Sequence, residues 1–321
     1  MNNVVVILLA LLLCLCTSCS GKDSLEVSVK VIDQNGTPVP DATVSVGFLP
    51  LGIGGSFAEG KTDKGGVFVA NGESNLHYRV SVEKDGYYDS SKEQLNAKME
   101  VEPGKWKVVD QDVVLVLRKI KNPIAMYARS NTTINLYTMD EEVGFDLLVF
   151  DWVAPYGKGK VADITFELSG YYHSFRDKDS TLTVRFPNKG DGACAFDAIT
   201  ESQFISPYEA PANGYSPTLS YRKMTKPTDK LHEWDNENTV DETRNYAIRF
   251  RTVLDEDGNV VEAMYAKIYG DFDFAGASDE GSYIRPKAYY VNPTVNDRNL
   301  EYAVGSNLVD NNEWDKNPKR P

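Results

Sequence analysis

The residues best suited to chemistry lie in and near residues 150 to 163, where aromatic side chains and carboxylates alternate with glycine and proline. Trp152 and Tyr156, together with Tyr172 further along the chain, could stack on the apolar faces of sugar rings if they are exposed. Large aromatic rings also supply much of the buried area of a β-sandwich core. We expect core positions for Trp152 and Tyr156 because valines flank them in a strand-like stretch; the ligand-binding alternative stays open.

Two carboxylates, Asp151 and Asp163, flank the same stretch and form the candidate pair for general acid–base chemistry. Glycosidases need two carboxyl groups separated by ~5 to ~10 Å, and a sequence does not show such a distance. No GxSxG, HExxH or Ser/His/Asp pattern points to another reaction. We therefore assign no catalytic residue.

Histidine and cysteine spacing predicts neither a metal site nor a cofactor. His77, His173 and His232 are far apart in sequence, and no HxxH or CxxC spacing occurs. Cys194 lies in a run of small residues that is typical of a strand, so we expect a buried structural thiol there rather than a nucleophile.

Cys19 follows an unbroken apolar run at residues 4 to 16, which is 13 residues long. This run is too short to cover ~30 Å of hydrocarbon but suits a signal peptide. The small residues Thr17 and Ser18 directly before Cys19 resemble a bacterial lipobox, which implies a signal peptide at residues 1 to 18 and a diacylated Cys19. The lipid bilayer would then be a partner, at the outer membrane or cell surface. An ordinary secretory signal or an uncleaved anchor is the alternative.

The charge of the chain disfavours nucleic acid as a partner. Acidic residues outnumber basic ones by 47 to 34, so the formal net charge is −13. A surface of this sign repels phosphate backbones and anionic lipid headgroups. The composition fits an extracytoplasmic body that an anchor holds beside the membrane.

Residues 24 to 118 show the period-two pattern of half-buried β-strands. In the first predicted strand the apolar positions are Leu25, Val27, Val29 and Val31. Asn35-Gly36 follows and predicts a hairpin, because both residues tolerate positive φ. Residues 113 to 117 are apolar throughout and predict a central closing strand.

This N-terminal pattern resembles the carboxypeptidase regulatory-like domain over about 95 residues. The resemblance implies a seven-stranded immunoglobulin-like or transthyretin-like sandwich that serves folding, spacing or adhesion and has no catalytic residues. The matching residues are Val31, Asp33, Gly36, Pro38, Pro40, Ala42, Val44, Val46, Thr62, Asp63, Gly66, Phe68, Val80, Val82, Gly86 and Tyr87.

After a linker near residues 119 to 127, residues 124 to 303 are again patterned as strands and predict a second, larger antiparallel β-sandwich of jelly-roll type. The expected strands are residues 144 to 150, 161 to 169, 180 to 186, 244 to 254 and 260 to 274. Residues 205 to 242 are poor in aliphatic side chains and predict a long loop. Residues 304 to 321 predict an irregular tail. Parts of this half resemble uncharacterised bacterial cell-surface proteins, a resemblance that implies no activity.

Two functional hypotheses follow from the sequence. The first is a non-enzymatic, lipid-anchored surface protein that binds an extracellular glycan or protein. The alternative is a carbohydrate-active enzyme of glycoside hydrolase type with its catalytic residues within residues 124 to 303. A cleft with two facing carboxylates beside exposed aromatic rings would favour the enzyme, and a filled sandwich would favour the binding protein.

Overall fold

The computed structural model describes residues 24–49, 55–73, 77–102, 105–109, 111–230, 232–276, 281–309 and 318–321. Throughout these ranges the regular structure consists of β-strands, which confirms the predicted all-β class. Within the same ranges, no helix long and apolar enough to cross a membrane occurs. The predicted signal peptide and Cys19 lie outside the described residues.

The chain divides into two compact units, an N-terminal unit, Met1–Lys119, and a C-terminal unit, Ile120–Pro321. The N-terminal unit forms two four-stranded sheets with the orders β4-β1-β10-β6 and β3-β2-β5-β7, and a two-stranded ribbon of β8 and β9. The pairing of β1 with β10 is parallel, and the other pairs are antiparallel. Its strands are β1 (Ser24–Asp33), β2 (Thr43–Leu49), β3 (Ser56–Lys61), β4 (Val67–Glu73), β5 (His77–Glu83), β6 (Tyr87–Tyr88), β7 (Ser90–Asn96), β8 (Met99–Glu102), β9 (Lys105–Val108) and β10 (Gln111–Lys119).

Alternating valines make the core of this unit. Those of β1 interleave with those of β2 and β5 from the facing sheet, and all of them are fully buried. Burying one such side chain contributes about 1.5 to 3 kcal/mol relative to leaving it in water. The residues concerned are Val27, Val29, Val31, Val44, Val46, Val80 and Val82.

The predicted hairpin at Asn35-Gly36 is a tight turn whose flanking strands belong to different sheets. Gly36 has φ +81°, which supplies the left-handed conformation that the turn needs. The carboxylate of Asp33 accepts the backbone N–H groups of Thr37 and Asn35 at 3.0 and 2.8 Å. These bonds, that of Thr37 foremost, hold the pKa of Asp33 below its usual range. The chain does reverse at this turn, with an antiparallel bridge between Ile32 and Pro38, but β2 does not pair with β1, because turn chemistry does not determine which sheet the next strand joins.

The C-terminal unit contains sheets with the orders β17-β20-β21-β24-β11-β25, β14-β13-β15-β16-β18-β19 and β12-β23-β22. Its strands are β11 (Ile124–Ser130), β12 (Ile134–Leu136), β13 (Val143–Asp146), β14 (Asp151–Trp152), β15 (Ile164–Ser174), β16 (Asp177–Arg185), β17 (Gly192–Phe196), β18 (Thr218–Pro227), β19 (Trp234–Asn238), β20 (Asn245–Leu254), β21 (Val260–Tyr269), β22 (Asp273–Ala275), β23 (Ser282–Arg285), β24 (Ala288–Val291) and β25 (Tyr302–Asn307).

The main core of the C-terminal unit holds side chains from all three sheets, including Phe166 of β15 and Ile268 of β21. The opposite face of the β17–β25 sheet is also covered, and its buried residues include Tyr269, Tyr290 and Tyr302. Because both faces are covered, the second half of β21 is buried at every position. Buried strands of this kind have continuous apolar runs rather than alternation.

Residues 205 to 242 are not one long loop, as the sequence predicts, because they contain β18 and β19. β18 pairs along β16 from Thr218 to Thr225, and β19 completes the hairpin. The predicted tail is also partly regular, since β25 extends to Asn307. The predicted strand at residues 144 to 150 ends early, because the carboxylate of Asp146 accepts backbone N–H groups from Leu148 and Val149 and turns the chain.

Candidate ligand-binding surface

The three aromatic residues predicted as ligand contacts occupy different environments. Trp152 is 3% exposed, and its indole N–H donates to the backbone carbonyl of Asn135 at 2.9 Å. Tyr156 is half-buried, and its ring stacks on that of Tyr137 at 5.8 Å. Tyr172 is half-buried near the far end of β15. Trp152 therefore lies in the core and presents no ring face to a ligand.

Strand pairing also separates Tyr172 from Trp152. Trp152 pairs with Phe145, and Phe145 pairs with Ile164 at the start of β15. Tyr172 lies eight residues further along that strand. At about 3.4 Å per residue this corresponds to about 27 Å, so Tyr172 and Trp152 do not share a site.

Both candidate catalytic carboxylates accept hydrogen bonds, one from backbone N–H groups and the other from an arginine. Asp151 accepts the backbone N–H groups of Trp152 and Lys158, both at 2.8 Å. Asp163 is 2% exposed and accepts two hydrogen bonds from the guanidinium of Arg251, at 2.7 and 3.0 Å. Asp151 and Asp163 do not line the cavity beside Tyr269 and Tyr290 or the one beside Tyr208.

Arg251 joins Asp163 to a second buried carboxylate, Asp146, at 3.0 Å. Burial raises the pKa of Asp163. Burial also opposes ionisation of Asp146, but the backbone N–H groups of Lys160, Val149 and Val161 outweigh it and lower the pKa of Asp146. The cluster is a buried ion-pair network whose hydrogen-bonding groups are engaged with one another, as such networks require.

A different group of side chains, some exposed and some half-buried, lies at one end of the second six-stranded sheet. We call it the aromatic tip and define it as Tyr171, His173, Phe175, Arg176 and Trp234. Phe175 is 66% exposed and the side chain of His173 is 70% exposed. The rings of Tyr171 and His173 lie 4.7 Å apart at an angle of 35°. The guanidinium carbon of Arg176 lies 4.8 Å from the Phe175 ring centroid and 4.6 Å from that of Trp234.

Two neighbouring hairpins position the aromatic tip. Phe175 and Arg176 form the two-residue connection between β15 and β16, while Trp234 begins β19. A β-bulge between Tyr172 and Ser174 shifts the register and re-aims the side chain between them. Gly170 has φ +129°, and a Cβ there would lie 2.0 Å from the carbonyl oxygen of the partner strand, so the close approach of the strands requires glycine.

Carboxylates and cations beside the rings fix their orientation. The hydroxyl of Tyr171 donates to Asp177 at 3.1 Å, and the other oxygen of Asp177 lies 3.2 Å from Nδ1 of His173. Desolvation and the bond to Asp177 raise the pKa of Tyr171. Asp179 holds Lys226 at 2.8 Å, and Lys226 lies 5.9 Å from the Tyr171 ring centroid.

Arg222 donates two hydrogen bonds to Asp179, at 2.9 and 2.8 Å, and a third to Glu237 at 2.8 Å. The bonds from Arg222 lower the pKa of Asp179 far below its usual range and thereby keep it ionised. The outward face of strands β15, β16, β18 and β19 thus carries a fixed network of alternating charges next to the exposed rings. A polar ligand with apolar ring faces could contact both parts together.

The sequence indicated Tyr172 but not Phe175 or Trp234. Alternation along β15 puts Tyr172 on the face opposite Tyr171 and His173. Trp234 was assigned to the predicted loop, so nothing brought it near β15. The available signal was local, since Phe175 and Arg176 connect two predicted strands, where turn-forming polar residues are typical.

Metal binding has no evident ligand set in the part of the chain that the structure describes. No group of three or more His, Cys, Asp or Glu side chains there could hold an ion. His173 belongs to the aromatic tip, and His232 neighbours it, with its ring centroid 6.5 Å from that of Trp234. Cys194 is half-buried, and desolvation raises the pKa of its thiol, which disfavours the thiolate.

No protein-family model matches the sequence. The curated proteins contain no match either. Among solved structures, 3-chlorocatechol 1,2-dioxygenase from Rhodococcus opacus 1CP matches 32% of this chain and 62% of its own, with 12% identity and a TM-score of 0.26. A candidate carbohydrate-binding protein from Bacteroides uniformis ATCC 8492 matches 84% of this chain and 98% of its own, with 9% identity and a TM-score of 0.21.

The major pilin subunit BcpA of Bacillus cereus matches 84% of this chain and 96% of its own, with 10% identity and a TM-score of 0.24. The match to the dioxygenase spans less than two thirds of that chain. These TM-scores are below 0.5, so the matches carry no argument about the ligand or activity of this chain.

Proposed function

We propose that this chain is a non-enzymatic, lipid-anchored surface protein that binds extracellular glycans through its aromatic tip. The observation that carries the proposal is the cluster of rings in which His173 and Phe175 are exposed and Tyr171 and Trp234 are half-buried, held beside fixed carboxylates and cations. The anchor at Cys19 is part of the proposal and is supported by the lipobox-like sequence.

The chemistry of the aromatic tip suits a sugar ring. The face of an aromatic ring carries partial negative charge and attracts the C–H groups on the apolar face of a pyranose. Asp177 and Arg176 lie beside the rings, where a carboxylate and a guanidinium can exchange hydrogen bonds with sugar hydroxyls. Since the surface is a rim of two hairpins rather than an enclosed cleft, it suits a polysaccharide chain that continues past it.

Binding is favoured over hydrolysis because the candidate catalytic carboxylates are engaged. Asp151 holds a loop through two backbone N–H groups, and Asp163 lies in a buried ion pair with Arg251. A glycosidase needs one carboxyl group beside the scissile bond to donate a proton and another to act as base or nucleophile. Asp151 and Asp163 offer neither arrangement to a ligand at the aromatic tip.

Affinity gel electrophoresis of the full chain in detergent tests the proposal. Soluble xylan, mixed-linkage β-glucan, pectin and glycogen serve as the probes in the gel. We expect at least one to retard the wild-type protein, and we expect Trp234→Ala and Phe175→Ala to weaken that binding roughly 5- to 30-fold. This range corresponds to the ~1 to 2 kcal/mol lost when an important interface aromatic is truncated.

Phe57→Ala is the matched control. Phe57 is 64% exposed, close to the 66% of Phe175, but it lies on β3 of the N-terminal unit. The control variant should bind like the wild type. A wild-type protein that none of the four polysaccharides retards, or equal losses in Phe57→Ala and Phe175→Ala, would refute binding of these glycans through the aromatic tip.

A further inference from the structure

A short proline-containing segment, residues 318 to 321, lies against the covered face of the β17–β25 sheet. Its sequence is Pro-Lys-Arg-Pro. Pro318 and Pro321 are buried, whereas Lys319 and Arg320 between them are exposed. The two buried prolines are three residues apart, which matches the three residues per turn of a polyproline II helix, in which residues i and i+3 lie on the same side. Proline also fixes φ near −65°, which favours that extended form.

Two tyrosine hydroxyls hold the backbone of this segment. Tyr290 of β24 donates to the carbonyl oxygen of Arg320 at 2.9 Å, and Tyr269 of β21 donates to a main-chain oxygen of Pro321 at 2.9 Å. The two strands are neighbours, and the tyrosine ring centroids lie 5.4 Å apart at 65°. Main-chain oxygens of consecutive residues are therefore held by adjacent hydroxyl donors on a rigid sheet.

Both tyrosines are buried. Tyr290 is 1% exposed and Tyr269 is 4% exposed. Desolvation raises the pKa of Tyr290 well above its usual value, so its phenol keeps its proton. A third ring, Tyr302 of β25, lies 5.3 Å from that of Tyr290 and extends the aromatic floor.

The floor continues into a cavity of about 540 Å³ beside the segment. Its wall combines apolar groups, such as Ile205 and Ala288, with polar groups, such as Asn131 and Glu242. Residues 318 to 320 form part of the wall. We call the tyrosine floor together with this cavity the tyrosine groove. The cavity leaves room beside the resident segment for further residues of a bound chain.

We propose that the tyrosine groove is a recognition site for extended Pro-x-x-Pro peptides with basic central residues, and that residues 318 to 321 are its resident occupant. Aromatic grooves bind polyproline II segments because the peptide is already extended and its carbonyl groups are exposed. In this groove both prolines of the resident segment are buried, and the tyrosine hydroxyls donate to its main-chain oxygens. The basic side chains are exposed, and Glu242 in the wall of the groove supplies a carboxylate of opposite charge.

The resident segment must compete with an added peptide. The tethered segment acts at an effective concentration of about 1 mM. If the segment and an added peptide of the same sequence each bind the groove with a Kd of about 100 µM, the peptide binds the wild-type chain about tenfold more weakly than it binds an open groove. The groove can be opened in the full chain by the double substitution Pro318→Ala and Pro321→Ala, which removes the buried rings and leaves the sheet unaltered.

The experiment measures fluorescence anisotropy of a labelled, C-terminally amidated peptide with the sequence of residues 316 to 321. We expect the opened double variant to bind this peptide at least tenfold more tightly than the wild-type chain. A peptide with both prolines replaced by alanine should bind the opened variant at least tenfold more weakly. Absence of binding at 1 mM, or equal affinity for the two peptides, would overturn the proposal.

A second measurement follows the resident segment itself in the full chain. Trypsin cleaves after Lys319 when the segment leaves the groove, and the cleavage rate then follows the population of the open form. Tyr269→Phe and Tyr290→Phe each remove one hydrogen bond, so each should raise the rate roughly 2- to 12-fold. Tyr283→Phe, on β23 outside the groove, is the matched control. Unchanged cleavage in both groove variants would contradict the assigned role of the hydroxyls.

Discussion

Replacing Trp152 with alanine separates a core tryptophan from a ligand contact. The ring of Trp152 meets those of Phe145 and Phe166 edge to face, with centroids 5.2 and 5.7 Å apart. Its indole N–H also donates to the carbonyl of Asn135. Trp152→Ala therefore removes a large buried ring, two aromatic contacts and one buried hydrogen bond.

The expected loss of unfolding free energy is about 4 to 5 kcal/mol. Truncation of a buried aromatic costs about 3 to 5 kcal/mol. We expect the upper part of that range, because edge-to-face pairs contribute about 0.5 to 1.5 kcal/mol each beyond area burial, and the Asn135 carbonyl loses its donor. For a unit of about 200 residues each kcal/mol shifts the Tm by about 2 to 4 °C, so the Tm of the C-terminal unit should fall by about 8 to 20 °C.

Urea denaturation and calorimetry of the full chain measure this effect, with two controls. Trp152→Phe keeps a ring in the core and should cost less than half as much as alanine. Trp234→Ala removes the half-exposed tryptophan of the aromatic tip and should change the unfolding free energy by less than about 1 kcal/mol. A Trp152→Ala protein whose stability matches the wild type, or one that loses only polysaccharide binding, would refute the core assignment.

Two further predictions concern the N-terminal part of the chain. Because the folded pKa of Asp33 lies below its unfolded value of about 3.9, this group contributes stability above that pH which is lost as pH falls. The free energy of unfolding, measured with urea between about pH 2 and pH 6, should therefore fall less steeply toward acid pH for Asp33→Asn than for the wild type. Identical slopes would contradict this. Cys19→Ala should abolish acyl labelling and release the protein from the membrane fraction or block its maturation; unchanged labelling and membrane retention would rule out the lipobox interpretation.

Strand positions could be predicted where a strand has one buried face. The valines of β1 and the apolar residues of β15 and β16 alternate clearly, and the structure places strands there. β18 was missed because its burial is unlike that pattern. It has Tyr221 in the core, but most of its other positions are only half-buried, and polar and apolar residues are mixed among them. Such a strand depends on pairing with β16, about 40 residues earlier, which local sequence does not show.

The same reason limited prediction of the candidate site. The aromatic tip combines the connection between β15 and β16 with the start of β19, and these are adjacent only because β16 pairs with β18. Sequence alone grouped Trp152, Tyr156 and Tyr172 by composition, whereas the structure separates the first from the last by most of a strand. The residue types are known from the sequence, but which of them lie close together depends on how the strands pair.

Several aspartates of the chain have a structural role in its turns. Carboxylates at several loops accept backbone N–H groups from residues one to seven positions further along the chain, which is how Asp side chains stabilise tight turns. The aspartates concerned are Asp33, Asp63, Asp146, Asp151 and Asp255. These five carboxylates have a structural role at turns, so their presence is not in itself evidence for an active site. An exposed ring such as that of Phe175, which lies in the turn between β15 and β16 without a buried partner surface of its own strand, is therefore a better guide to binding in this chain than the number of carboxylates.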